Sequence, residues 1–220
     1  MTAPSTEAVV VAVLSAAAVG ARATWSLLRH VVTMAHEGGH AAVAAASGRR
    51  LTGVRLHSDT SGVTFSVGSP TGPGVVATLL AGYLAPSVLG LLGASAVARG
   101  HERAVLVATI GLLAVLLVLI RNVFGVLSVL VTGGALVALV GWAPTAWQSP
   151  AAHLLVWFLL WAGPRPVLEL QRLRRHGQAG MSDADQLARL THVPGLFWVG
   201  MFLVLTVSAT AWGGWLLLRS

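Results

Sequence analysis

The stretch His36-Glu37-Gly38-Gly39-His40 spells out a reaction in its residue types and spacing. On a helix, residues four apart are separated by about 6 Å along the axis and lie nearly in register, so both imidazoles can reach one metal ion. Glu37 follows His36 by about 100° around the helix, which puts it beside such an ion as a general base. Zinc held there would lower the pKa of a bound water to about 7 and polarise a carbonyl, while the carboxylate moves the water's proton to a leaving amine. That is amide hydrolysis without a covalent intermediate. With 8 His and 4 Glu in 220 residues, random placement gives on the order of 0.005 such motifs, so coincidence is a poor explanation.

Catalytic zinc keeps three protein ligands and one open position. Cysteine is absent, so the third ligand must come from His, Asp or Glu, and the realistic acids are Asp59, Glu102, Glu169, Asp183 and Asp185. Ser182-Asp183-Ala184-Asp185 opens an apolar-periodic stretch, and Ser182 with Asp185 three residues on matches a capping box. Asp185 therefore has a structural task, whereas Asp183 has only a favourable helix-dipole charge. Asp183 is the preferred ligand, with Asp185 and His192 in reserve.

The elements that must position these groups belong to a membrane protein. The chain is 55% hydrophobic and 10% charged, with a mean hydropathy of +0.79, far from a soluble domain. A bilayer core of about 30 Å needs about 20 apolar helical residues. On that measure the candidate spans are 8–28, 30–47, 74–98, 104–120, 122–140, 151–168 and 194–218. Arg22, Arg29 and His30 interrupt the first two, so one long bent helix or a half-buried second helix reads the same way. The run from Ala8 to Gly20 has no basic residue before it and reads as a retained helix, not a signal peptide. The expected fold is an all-α polytopic membrane protein of six or seven transmembrane helices, one domain over 1–220, with a β-hairpin after the HExxH helix.

That hairpin is expected over 51–68, where apolar and polar residues alternate around Ser58-Asp59-Thr60-Ser61-Gly62. A second polar segment covers 169–193. Basic charge comes from 14 Arg and no Lys. Arg49, Arg50 and Arg55 flank the hairpin and Arg172, Arg174, Arg175 and Arg189 fill the second segment, which the positive-inside rule places in the cytoplasm. Four spans separate the two segments, so parity puts both on one face. Membrane topology thus accounts for the net charge of +7, and no nucleic-acid module is present. The tryptophans at 142, 147, 157, 161, 198, 212 and 215 read as interface anchors.

With these motifs in hand, the chain resembles the site-2 protease class of intramembrane zinc metalloproteases, in its bacterial branch of compact, peptidase-like membrane proteins. The resemblance runs from His36 to about Trp198. It rests on His36-Glu37-x-Gly39-His40, the Ala-rich helix after it, Ser47-Gly48, Ala81-Gly82-Tyr83 with Pro86, Arg121-Asn122-x-Phe124-Gly125, and the segment Ser182 to Pro194. It implies Zn2+, a cytoplasm-facing site in the cell membrane, and cleavage of membrane-embedded or membrane-adjacent segments of a membrane protein substrate. Better-known members carry the third-ligand Asp in an Asn-Pro-Asp-Gly type motif within a membrane helix, which this sequence lacks. Asn122 is a candidate for orienting the substrate backbone, since an amide both donates and accepts, although an interfacial turn residue beside Arg121 reads equally well. The hairpin could lend an edge strand to an extended substrate.

The reading that results is an intramembrane zinc endopeptidase with His36, His40 and Asp183 on the metal and Glu37 as base. The alternative is a non-catalytic membrane binding or adaptor protein that keeps the fold. A solute or metal transporter would place ionisable groups in several spans, and 74–98, 104–120 and 123–140 carry no charged residue. Oligomeric state and substrate identity have no signature in the sequence.

Overall fold

The computed structural model describes residues 6–178 and 181–219. The chain folds into helices α1 (Thr6–Gly20) and α2 (Arg22–Ala46), strands β1 (Arg50–Leu56) and β2 (Gly62–Val67), then α3 (Pro73–Val97), α4 (Glu102–Leu119), α5 (Val123–Gly141), α6 (Gln148–Ala162), α7 (Pro164–Arg175), α8 (Asp183–Thr191) and α9 (Gly195–Leu217). Helices α3, α4, α5 and α9, together with the run Thr145–Arg175 that holds α6 and α7, are long and apolar enough to cross a membrane. The pair α1 and α2 passes the same test together but is bent by 96°, so the described residues hold five spans, or six with the bent pair. The protein is a mostly helical, multi-pass membrane protein.

The bent pair departs from the expected spans 8–28 and 30–47. The break falls at Ala21, whose ψ of 134° is extended, and Arg29 and His30 continue inside one 25-residue helix. Arg29 is accommodated because Glu169 on α7 lies 3.5 Å away. Glu169 also accepts from Trp25 Nε1 at 2.8 Å, and the Arg165 guanidinium lies 4.3 Å from the centre of the Trp25 ring. The sixth expected span, 151–168, is likewise longer in the structure, because α7 continues α6 past Gly163 and carries its arginines out to His176.

Helix α2 ends in a Schellman motif. Gly48 takes a φ of +73°, its N–H donates to Ala45 O at 3.0 Å, and the Arg49 N–H donates to Ala44 O at 3.0 Å. This sharp stop turns the chain directly into the hairpin, whose antiparallel register pairs Arg50 with Val67 and Leu56 with Gly62. The outer edge of β1 is covered by the α4–α5 connection, where Val54 bridges Ile120 and Arg121 N–H donates to Val54 O at 2.9 Å. Strand β2 turns Gly62, Thr64 and Ser66 inward and leaves Val63, Phe65 and Val67 exposed. The polar stripe therefore faces the protein.

Helix α3 is the spine of the site. Gly39 of α2 approaches it so closely that a Cβ there would lie 2.9 Å from Ala81 O. On its other flank, Leu79 joins Val167, Leu170, Ala184, Leu187, Val199 and Phe202 in one apolar cluster. That cluster seats the short helix α8 against α3, α7 and α9.

Candidate metal centre

His36 and His40 project from one face of α2 with their Nε2 atoms 3.1 Å apart. Asp183 reaches them from the first turn of α8, its Oδ2 lying 3.3 Å from each Nε2. Among the described residues these three side chains form a group whose ligand atoms could hold one ion. Four ligands at about 2.0–2.2 Å in a tetrahedron lie about 3.3–3.6 Å apart, so two edges of the donor triangle match a tetrahedral face and the third, 3.1 Å, is slightly shorter.

The surroundings fit the same purpose. His40 Nδ1 lies 2.7 Å from the Thr78 carbonyl, which can only accept, so the proton sits on Nδ1 and the Nε2 lone pair turns to the cluster. A Cβ at Gly82 would overlap His40 Nε2 and come within 2.7 Å of His36 Cε1, so glycine makes room for both rings. Tyr83 meets the His36 ring edge-on at 4.9 Å and stacks on Phe202 at 5.1 Å. Asp183 Oδ2 is buried and makes no hydrogen bond of ordinary geometry. Burial by itself would push the Asp183 carboxyl up. The imidazoles of His36 and His40, each 3.3 Å away, overcome this and hold it well below the usual carboxylate range.

Glu37 is buried with 3% of its surface exposed. Thr64 Oγ1 donates to Glu37 Oε2 at 2.6 Å, and a Cβ at Gly62 would lie 2.6 Å from Oε1. Strand β2 thus lies over the carboxylate, and its inward stripe is small and polar for that reason.

A model of the Peptidase M50B-like family matches residues 8–213. The chain belongs to the Peptidase M50B-like family. No curated protein and no solved structure matches it. Membership identifies a membrane protein of the metalloprotease kind, from a family of zinc metallopeptidases.

In this M50B-like chain the other candidate residues lie elsewhere. Asp185 sits two residues past Asp183, about 200° around the helix, and pairs with Arg174. His192 is exposed at the left-handed C-cap of α8. Neither belongs to the donor group. The amide of Asn122 is engaged by the hairpin: its Nδ2 donates to Leu56 O at 2.7 Å, and Leu56 N–H donates to its Oδ1 at 3.2 Å. Gly125 leaves room for that amide, since a Cβ there would lie 2.8 Å from Asn122 Oδ1.

Thr64, Thr78 and Gly82 are the residues the sequence reading did not assign. Gly82 was visible inside Ala81-Gly82-Tyr83, and Thr64 on the polar stripe of the hairpin. No spacing rule ties either to a motif on another element.

Proposed function

We propose that this M50B-like protein is an intramembrane zinc endopeptidase in the cell membrane, with His36, His40 and Asp183 as ligands, Glu37 as general base and the site towards the cytoplasm. The observation that carries the reading is the compact triangle of two imidazole nitrogens and one carboxylate oxygen, with edges of 3.1, 3.3 and 3.3 Å, next to a buried Glu37. The tautomer of His40, the space left by Gly82 and the buried Asp183 Oδ2 turned to both imidazoles without a hydrogen bond all suit a cation with borderline-soft preferences.

A zinc ion held by His36, His40 and Asp183 would supply Lewis acidity and bring the pKa of water towards neutrality. The Glu37 carboxylate is the group that would accept a proton there and return it to the leaving amine. Thr64 holds Oε2 of Glu37 through its hydroxyl and so fixes the rotation of the carboxylate. The apolar outer face of the hairpin and the surrounding spans suit a substrate segment that is extended and apolar, lying in or beside the bilayer. Asn122 contributes by holding β1 and not by touching substrate. The arginines around the hairpin and along α7 support a cytoplasmic site.

The test is metal analysis of detergent-purified protein together with cleavage of a membrane-tethered reporter bearing an unstructured segment. Expected are one zinc per chain in the wild type, none in Asp183→Ala, and zinc without cleavage in Glu37→Gln, whose turnover falls about 10²–10⁴-fold. Zinc in the wild type with no cleavage would favour the adaptor, and absence of zinc would sink the ligand set.

A further inference from the structure

The third ligand stands on an element that cannot place it unaided. Helix α8 has nine residues, too few to be stable in isolation, and its bearing on the histidines is set by whatever holds its first turn. There, Asp185 turns away from the donor triangle. Its Oδ1 pairs with Arg174 Nη1, its Oδ2 accepts from Ser182 Oγ, and its backbone N–H donates to that same hydroxyl at 3.3 Å. Arg174 comes from the last turn of α7, and it is partly buried where its neighbours Arg172 and Arg175 are exposed. Its guanidinium lies across Gly195, the first residue of α9, where a Cβ would stand 2.6 Å from Nη2. One side chain therefore fits the end of α7, the start of α8 and the start of α9 together.

We propose that Arg174 and Asp185 form a clamp whose function is to hold Asp183 at ligand distance from His36 and His40, so that metal affinity is set by an ion pair containing no ligand. The inference rests on the zinc reading above. Metal–ligand distances tolerate only about 0.2 Å, and Asp183 and Asp185 share one helical turn, so a shift at Asp185 is passed directly to Asp183. Residues that orient ligands from behind typically change metal affinity 10- to 100-fold when removed. Arg174 is accordingly a positioning residue, and Gly195 is glycine so that the guanidinium can lie flat on α9.

The experiment is chelator competition for zinc on the full chain in detergent, with the thermal midpoint of the zinc-free protein measured in parallel. Arg174→Gln and Asp185→Asn are expected to weaken zinc about 10- to 100-fold with that midpoint unchanged. Arg174→Lys should recover part of the affinity, and Gly195→Ala should weaken it by displacing the guanidinium. Wild-type affinity in both Arg174→Gln and Asp185→Asn would overturn the clamp. So would a lowered midpoint with unchanged affinity, which is the signature of a general structural role. Wild type that binds no zinc would instead fail the ligand set itself, a result separable from the others because it needs no variant.

Discussion

Helices α2 and α8 both supply donors to one site, but they deliver them by different physics. In α2 the two imidazoles are placed by the period of a single helix. The surroundings then only refine them, through the Thr78 carbonyl behind His40 and the space over Gly82. In α8 the capping box of Ser182 and Asp185 starts the helix but does not by itself bring Asp183 to the histidines. Its position depends on Ala184 and Leu187, both fully buried in the cluster with Phe202 and Val167, and on the pairing of Asp185 with Arg174. The long helix builds half of a site by itself, and the short one completes it by being held.

The comparison breaks first at the proposed ligands. His40→Ala removes a donor from the prebuilt half and should abolish zinc retention after gel filtration. Asp183→Asn leaves the two imidazoles together on α2, so it should retain weak binding that excess zinc restores and a mild chelator strips. Equal and complete loss in both variants, even in excess zinc, would mean that α2 alone builds nothing. The next largest effect is expected at Gly82. A methyl there overlaps both imidazoles, and overpacking of this kind costs about 1–3 kcal/mol. Gly82→Ala should weaken zinc by roughly 5- to 150-fold at that cost, read in the same competition assay. An unchanged affinity would show that the rings can give way.

The same contrast explains what the sequence disclosed. His36, Glu37 and His40 were legible because their relation is internal to one helix, and the alternation of 51–67 was legible because period two is local. Asp183 was within reach because the capping box assigns Asp185 elsewhere and parity puts α8 on the side of the HExxH helix. The role of Arg174 was not legible, since one arginine among three in the same turn is distinguished only by what it meets on α8 and α9. The number of spans was legible only as six or seven. The bend at Ala21 is a tertiary outcome, in which α1 packs on α6 while the start of α2 is drawn to Glu169. The hairpin's orientation ran against the usual expectation, because Thr64 faces a buried carboxylate and Phe65 faces out.

Thr64 sharpens the comparison on the α2 side, because it bonds Glu37, the proposed base, and not the proposed ligands. Thr64→Val keeps shape but removes the hydrogen bond to Glu37, and hydrogen bonds to charged groups contribute about 1.5–3 kcal/mol. Turnover is expected to fall about tenfold or somewhat more while zinc affinity stays at the wild-type value, and Thr64→Ser should restore most of the rate. A loss of zinc in Thr64→Val would tie the hairpin to the ligands and erase the distinction between base and metal half.

The smallest effect is expected at Asn122, and its value lies in how it combines with Thr64. Its side chain makes a two-bond pair with the Leu56 backbone, so Asn122→Ala frees one end of β1 and leaves a part-buried N–H and C=O to find water, at a cost of about 1–3 kcal/mol. Because β1 carries β2 by the ladder from Arg50–Val67 to Leu56–Gly62, the loosening reaches Glu37 through Thr64. The two substitutions then act along one path, and a double-mutant cycle on turnover should be clearly non-additive, with amide exchange at Leu56 accelerated in Asn122→Ala alone. If Asn122 oriented substrate directly, the effects would multiply, KM would rise, and exchange at Leu56 would be the same in both single variants.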